Sequence, residues 1–152
     1  MHLLFVCTGN TCRSPMAEAM ARCALEERDA KNIEVSSAGT AAVEGAPASS
    51  GAQHAMRDAG LSLEMHRSRL LTPEIVANAD LIVTMTQSHA DMVQHIAPAD
   101  AQIYTLYEYA GEIGDVSDPF GGPDWRYAQC AERMRPRIKR AIARILQEQT
   151  LG

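Results

Sequence analysis

The sequence predicts an α/β fold, a three-layer αβα arrangement with a four-stranded parallel sheet. Three observations carry this. Short β-type runs alternate with helical segments, which implies parallel strands covered on both faces. The segment from Pro123 repeats apolar residues every three or four positions, as an amphipathic helix packing back on a sheet does. And 152 residues with 46% hydrophobic and 22% charged side chains suit one globular domain, expected to span 1–152.

The first strand is Leu3-Leu4-Phe5-Val6. Thr8-Gly9-Asn10 turns the chain, and Ser14-Pro15 opens a helix with Met16, Met20, Ala24 and Leu25 on its apolar face, Ser14 being the expected N-cap and Pro15 the first helical residue. Ile33-Glu34-Val35 is a second strand leaving through Ser36-Ser37-Ala38-Gly39, followed by a loop through Pro47 and a helix ending near Gly60. Asp80 to Met85 reads as a buried strand, Gln87 to Ile96 as a helix, and Ile103-Tyr104-Thr105-Leu106 as the fourth strand. In the last helix Tyr127, Ala131, Met134, Ile138, Ile142 and Ile145 form the apolar stripe, and Pro136 is expected to kink or break it.

A net charge of -5 argues against a nucleic-acid binder held by phosphate neutralisation. The distribution is uneven: residues 123–152 hold 7 basic and 3 acidic side chains, and Arg133, Arg137, Arg140 and Arg144 make a basic helix face, read as solvated or as a docking surface. The apolar run Met1 to Val6 is too short for a signal peptide and no run approaches a membrane span, so a cytoplasmic location without membrane attachment is expected. Cys7, Cys12, Cys23 and Cys130 form no C-x-x-C pair and are expected as reactive or buried thiols, with Cys23 and Cys130 in core packing. His89 and His95 lack ligand spacing, and neither a metal nor an organic cofactor is expected.

The chemistry lies in Cys7-Thr8-Gly9-Asn10-Thr11-Cys12-Arg13-Ser14, between the first strand and the first helix. A loop of this length can curl until successive backbone N–H groups converge, making an anion nest closed by a helix N-terminus. Gly9 and Asn10 tolerate the left-handed conformations this needs, and Arg13 offers a planar fork for two phosphate oxygens. The same positive field favours the thiolate of Cys7, the form that attacks phosphorus in line to give a thiophosphate. Ser14 can donate to that sulfur and stabilise it as a leaving group. A shuffled chain would hold about 0.035 such patterns by chance, so the placement between strand and helix adds the discrimination that spacing alone lacks.

Val6 to Glu18 resembles the signature of the low-molecular-weight protein tyrosine phosphatase family. Ser37-Ala38-Gly39-Thr40, His66-Arg67-Ser68-Arg69, Asp80 to Met85 and Asp115 to Gly121 resemble further blocks in the family's order, so the likeness covers nearly the whole chain. It implies a flavodoxin-like fold, catalytic Cys7, Arg13 and Asp118, and a substrate-binding set of Thr8, Gly9, Asn10, Thr11, Cys12, Ser14 and Phe120. It also implies a supporting His66 beside Asn10. Asp118, before Pro119 in a Gly-rich loop, is preferred to Asp115 as the acid that protonates the leaving group and then activates water. Cys12 could capture an oxidised Cys7 as a reversible disulfide, a redox role the resemblance supports.

The loop Ala41-Ala42-Val43-Glu44-Gly45 offers a phosphotyrosine ring little to stack on, while Trp125 and Tyr127 are equally read as pocket wall or core. Members resembling protein arginine phosphatases share Thr11 and Asp118-Pro119-Phe120-Gly121-Gly122, whereas tyrosine-directed members carry an aliphatic residue at the Thr11 position. The Thr11 hydroxyl can hydrogen-bond a guanidinium and Asp118 can pair with it, so protein phosphoarginine is the preferred substrate and phosphotyrosine the alternative. A thiol-linked arsenate reductase is a remote alternative, since residues 84–100 lack the further cysteines it would use. A non-catalytic phosphate-binding module would need neither Cys7 nor Asp118. The partners expected are phosphorylated proteins, met by a monomer.

Overall fold

The computed structural model describes residues 1–151. Its strands are β1 (His2–Cys7), β2 (Glu34–Gly39), β3 (Leu81–Thr84) and β4 (Ile103–Thr105). The helices are α1 (Arg13–Glu27), α2 (Ser50–Asp58), α3 (Pro73–Ala77), α4 (Gln87–Gln94), α5 (Leu106–Tyr109) and α6 (Asp124–Leu151). All four strands pair in parallel, in the order β2-β1-β3-β4.

The side-chain period of two along β1 divides the core. Leu3 and Phe5 face one side, where α1, α2 and α6 supply Met16, Met20, Met56, Met134, Ile138, Ile142 and Ile145. Leu4 and Val6 face the other, against Val76 of α3 and Val93 of α4. The central strands are apolar on both faces because helices cover both. After β2 the chain crosses β1 to build β3 on its far side, so the carboxyl ends of β1 and β3 form the switch point at which open α/β sheets bind ligands. The Cys7 loop leaves β1 there.

Several local expectations differ from the structure. The N-cap of α1 is Cys12, not Ser14, and it makes no side-chain cap; helix α1 begins at Arg13, and Pro15 sits in the first turn, where an amide would lack an intrahelical acceptor anyway. Ser14 lies inside the helix, one residue past its start, and its hydroxyl is taken up by Cys7 and Asn10. Pro136 does not break α6: the helix runs through it, and Arg137 donates from Nη1 to the Arg133 carbonyl at 2.6 Å on the same turn. Burial of the apolar stripe on both sides of the proline offsets the lost amide bond. Leu106 belongs to α5 rather than to the fourth strand, because Thr105 caps it in a reciprocal box with Glu108. Cys23 lies partly exposed beside Glu27, outside the core, whereas Cys130 is buried in it.

The basic face of α6 folds onto the chain itself. Arg137 and Arg140 both reach Glu112, Arg137 stacks over the Tyr107 ring, and Arg144 binds Glu148 while lying over Tyr109. Three of the four arginines are thus engaged internally.

Candidate active site

Parallel register sets Cys7 beside Gly39 at the carboxyl edge of the sheet. A Cβ on Gly39 would overlap the Thr8 carbonyl oxygen and come within 2.9 Å of the Asn10 amide nitrogen, so the absence of a side chain there lets the loop pass. Asn10 supplies the turn with φ at 56°, one of two left-handed non-glycine residues among those described.

The loop closes on the sulfur. Ser14 Oγ lies 2.9 Å from Cys7 Sγ, and the Asn10 amide donates to the same sulfur at 3.3 Å. Asn10 is fully buried and saturated: its Nδ2 donates to Ser14 Oγ and Ser37 Oγ, each at 2.9 Å, and its Oδ1 accepts from the Arg69 amide at 3.0 Å. Ser37 Oγ in turn donates to Glu18 Oε1 at 2.6 Å, and Glu18 is paired with Arg22. His66 Nε2 is 2.7 Å from the Asn10 carbonyl oxygen, which fixes the turn from outside.

Arg13, almost wholly buried, extends from the first turn of α1 to the segment carrying Asp118. Its Nη1 donates to the Val116 carbonyl at 2.9 Å, and its Nη2 stands 3.5 Å from Asp118 Oδ2. Asp118 is half exposed, and its Oδ1 accepts from the Phe120 amide at 3.0 Å, an Asx turn that sets its direction. Asp115 is occupied elsewhere, accepting from the Gln87 amide at the start of α4. A cleft of about 180 Å³ is lined by Cys7, Thr8, Gly9, Thr11, Cys12, Arg13, Asp118 and Phe120. The ring of Phe120 is 72% exposed at its mouth, so it can meet a substrate.

The remaining residues fall as follows. Cys12 Sγ lies 3.2 Å from Ser49 Oγ and 3.9 Å from the Tyr127 hydroxyl. Tyr127 is therefore a buried wall behind the loop, while Trp125 is exposed. Ala42 is buried and Val43 exposed in the opposing loop. Sequence reasoning missed Ser37, Glu18 and Arg69 as supports of Asn10, and above all His89. That ring, buried in α4, places Nε2 2.7 Å from Thr8 Oγ1 and Nδ1 2.9 Å from Thr86 Oγ1. One signal could have found it: His89 follows β3 by five residues, at the strand end where the fold places its site. Among the described residues no group of three or more His, Cys, Asp or Glu could hold a metal ion, and no helix is long and apolar enough to cross a membrane.

The uncapped start of α1 explains what the loop can hold. Donors unused by the helix, with Arg13 beside them, make a site for a tetrahedral anion, with a thiol at its base and a carboxyl at its rim. Fold and loop together define the class, a small α/β phosphatase built around a loop cysteine.

Comparison with known proteins gives the family. Residues 2–151 match the family described as low molecular weight phosphotyrosine protein phosphatase. A protein-arginine-phosphatase of Geobacillus stearothermophilus is 39% identical over 97% of each chain, and a low molecular weight protein-tyrosine-phosphatase, PtpB, of Staphylococcus haemolyticus is 36% identical over 88% of this chain and 92% of its own. Among solved structures, the YwlE arginine phosphatase of Geobacillus stearothermophilus superimposes with a TM-score of 0.89 at 37% identity, covering 99% of this chain and 96% of its own. A YwlE arginine phosphatase in which serine replaces a cysteine, with the active-site serine phosphorylated, gives 0.89 at 36% identity over the full length of both chains. The chain belongs to the low molecular weight phosphotyrosine protein phosphatase family.

Proposed function

We propose that residues 1–152 form one phosphatase domain that removes phosphate from protein side chains, with phosphoarginine as the preferred substrate. The observation that carries the reaction is the pair of donors on Cys7 Sγ, Ser14 Oγ at 2.9 Å and the Asn10 amide at 3.3 Å, at the mouth of an uncapped helix. Cys7 attacks phosphorus, Arg13 and the loop amides hold the equatorial oxygens, and Asp118 protonates the departing atom. In the second step Asp118 takes a proton from water, which releases phosphate and returns the sulfur under the Ser14 hydrogen bond. Thr8, Gly9, Asn10, Thr11 and Cys12 shape the cradle, and His66 supports it through Asn10. Cys12, on the same loop, is the thiol assigned to capture an oxidised Cys7.

The preference for phosphoarginine is supported by Thr11, which lines the cleft with Cys7, and by Asp118, whose carboxyl can hydrogen-bond the guanidino group and, once its proton is given up, pair with the departing guanidinium. The phosphoarginine-directed relatives point the same way. Exposed Phe120 favours the second reading, phosphotyrosine, by offering a ring a face to stack on. Hydrolysis of phosphoarginine and phosphotyrosine peptides by the wild type and Thr11→Ile tests the choice. The variant should lose preference for phosphoarginine by at least about tenfold, the worth of one polar contact; an unchanged ratio rejects the assignment. Four free thiols support a cytoplasmic location, and a net charge of -5 supports protein rather than nucleic-acid substrates for what we take to be a monomer.

A further inference from the structure

His89 is set against the phosphate loop, yet none of the steps above uses it. Its ring bridges two hydroxyls on different elements: Thr86, the N-cap of α4, and Thr8, the residue after Cys7. One ring tautomer gives both contacts a consistent direction. Thr86 Oγ1 already accepts the His89 backbone N–H at 3.2 Å, and its own proton has Nδ1 as an acceptor at 2.9 Å. With Nδ1 accepting, a neutral ring carries its proton on Nε2, which donates to Thr8 Oγ1 at 2.7 Å. The Thr8 hydroxyl proton then cannot point at the ring. Thr8 lines the cleft together with Cys7, Arg13 and Asp118, and that is where the proton is free to turn.

We propose that His89 is a positioning residue of this site: its Nε2–H holds the Thr8 oxygen so that the Thr8 hydroxyl proton faces the cleft and donates to the transferring phosphoryl group. The role rests on reading the cleft as the phosphoryl site. The ring's surroundings keep it neutral, as a donor–acceptor relay requires. Burial, and then the charge of Arg13, lower its pKa to about 4, against the opposing pull of Asp115 and Asp118. The same helix start holds the acid segment, since the Gln87 amide binds Asp115 and the Val116 amide binds the Met85 carbonyl. His89 therefore ties the phosphate loop to the element that also positions the acid.

Two measurements test this. Long-range 1H–15N NMR of the histidine rings near neutral pH should find the His89 proton on Nε2; a proton on Nδ1 would overturn the proposal. With an aryl phosphate as substrate, His89→Phe and Thr8→Val should each lower kcat/KM about tenfold, as loss of one donor to a charged group does, and the double variant should be no worse than either single. His89→Gln, whose amide can reach Thr8, should recover activity to within about threefold of the wild type. Losses that multiply in the double variant, or a Gln variant as impaired as Phe at an unchanged unfolding temperature, would remove His89 from this role while leaving the phosphatase assignment intact. A wild-type chain unable to hydrolyse any aryl phosphate would overturn both.

Discussion

Asn10 decides which way the Ser14 hydroxyl points. Because Asn10 Nδ2 donates to Ser14 Oγ at 2.9 Å, the serine's proton is left for Cys7 Sγ, also at 2.9 Å. The orientation of the Asn10 amide is in turn fixed by the Arg69 amide, which needs an oxygen to bind, and by Ser37, whose own proton goes to Glu18. A continuous set of hydrogen bonds, donated outward in both directions from Asn10, thus links the Arg22–Glu18 ion pair to the sulfur.

Removing the two ends of that relationship should separate stability from chemistry. Ser14→Ala is expected to lower kcat by about ten- to hundredfold, the worth of a hydrogen bond to a charged group, and to destabilise by about 1 kcal/mol, since one Asn10 Nδ2 proton loses its partner. Asn10→Ala should also destabilise by about 2–3 kcal/mol, since it leaves buried partners unpaired and puts a side chain without compensating bonds at positive φ. Steady-state kinetics and urea unfolding of both variants check this.

Gly39 is the tightest approach of β2 to the loop. Gly39→Ala must push Thr8 or Asn10 aside, so activity should fall by at least about a hundredfold, because misplacement of roughly 1 Å at a reacting centre has that effect. The measurement is kcat/KM for an aryl phosphate, with a circular dichroism spectrum to establish that the sheet is formed.

The cysteines should differ in reactivity. Burial pushes the Cys130 thiol up to about 12, and its S–H points to the Ser117 carbonyl at 3.8 Å. Iodoacetamide at neutral pH should therefore leave Cys130 unmodified in the folded chain and alkylate Cys7, which lines the open cleft. Peptide mapping reads both sites, and rapid labelling of Cys130 would contradict the assigned burial.

The depressed pKa of His89 has a consequence for stability. Folding holds the ring near pKa 4, while the unfolded ring titrates near 6.5. Its neutral form therefore stabilises the fold fully above about pH 6.5, and this contribution is lost as pH falls to about 4, with a size on the order of 3 kcal/mol. Urea unfolding from about pH 7 to about pH 4 should show the wild type losing more stability than His89→Gln, which lacks the titrating ring. Parallel losses would place the shift elsewhere.

What could be read from the sequence follows from the range of each signal. The Cys7 to Ser14 loop is contiguous, and the alternation of β1, α1, β2 and the later elements repeats over short stretches, so both were legible. The Asp118-Pro119 turn was legible as well, because its direction is set by local backbone. Helix α3 has five residues and α5 four, too few to display a period, and they passed unseen. Ser14 looked like a cap because its sequence neighbours are those of a cap; only the folded loop brings it a sulfur and an amide that compete for its hydroxyl. The contact of Thr8 with His89 spans 81 residues and belongs to two separate strand ends. The place of His89 just after β3 points to the site, but nothing in the sequence pairs it with Thr8.

The central claim is that the Cys7 sulfur carries the phosphoryl group during turnover, and trapping that adduct tests it most directly. Asp118→Ala should slow water attack more than sulfur attack on a substrate with a good leaving group. Rapid acid quenching of this variant during hydrolysis of an aryl phosphate, followed by mass spectrometry, should then find one phosphoryl group on the Cys7 peptide, while Cys7→Ala shows neither adduct nor hydrolysis. Turnover by Cys7→Ala at the wild-type rate, or a phosphoryl group found on a residue other than Cys7, would contradict the account.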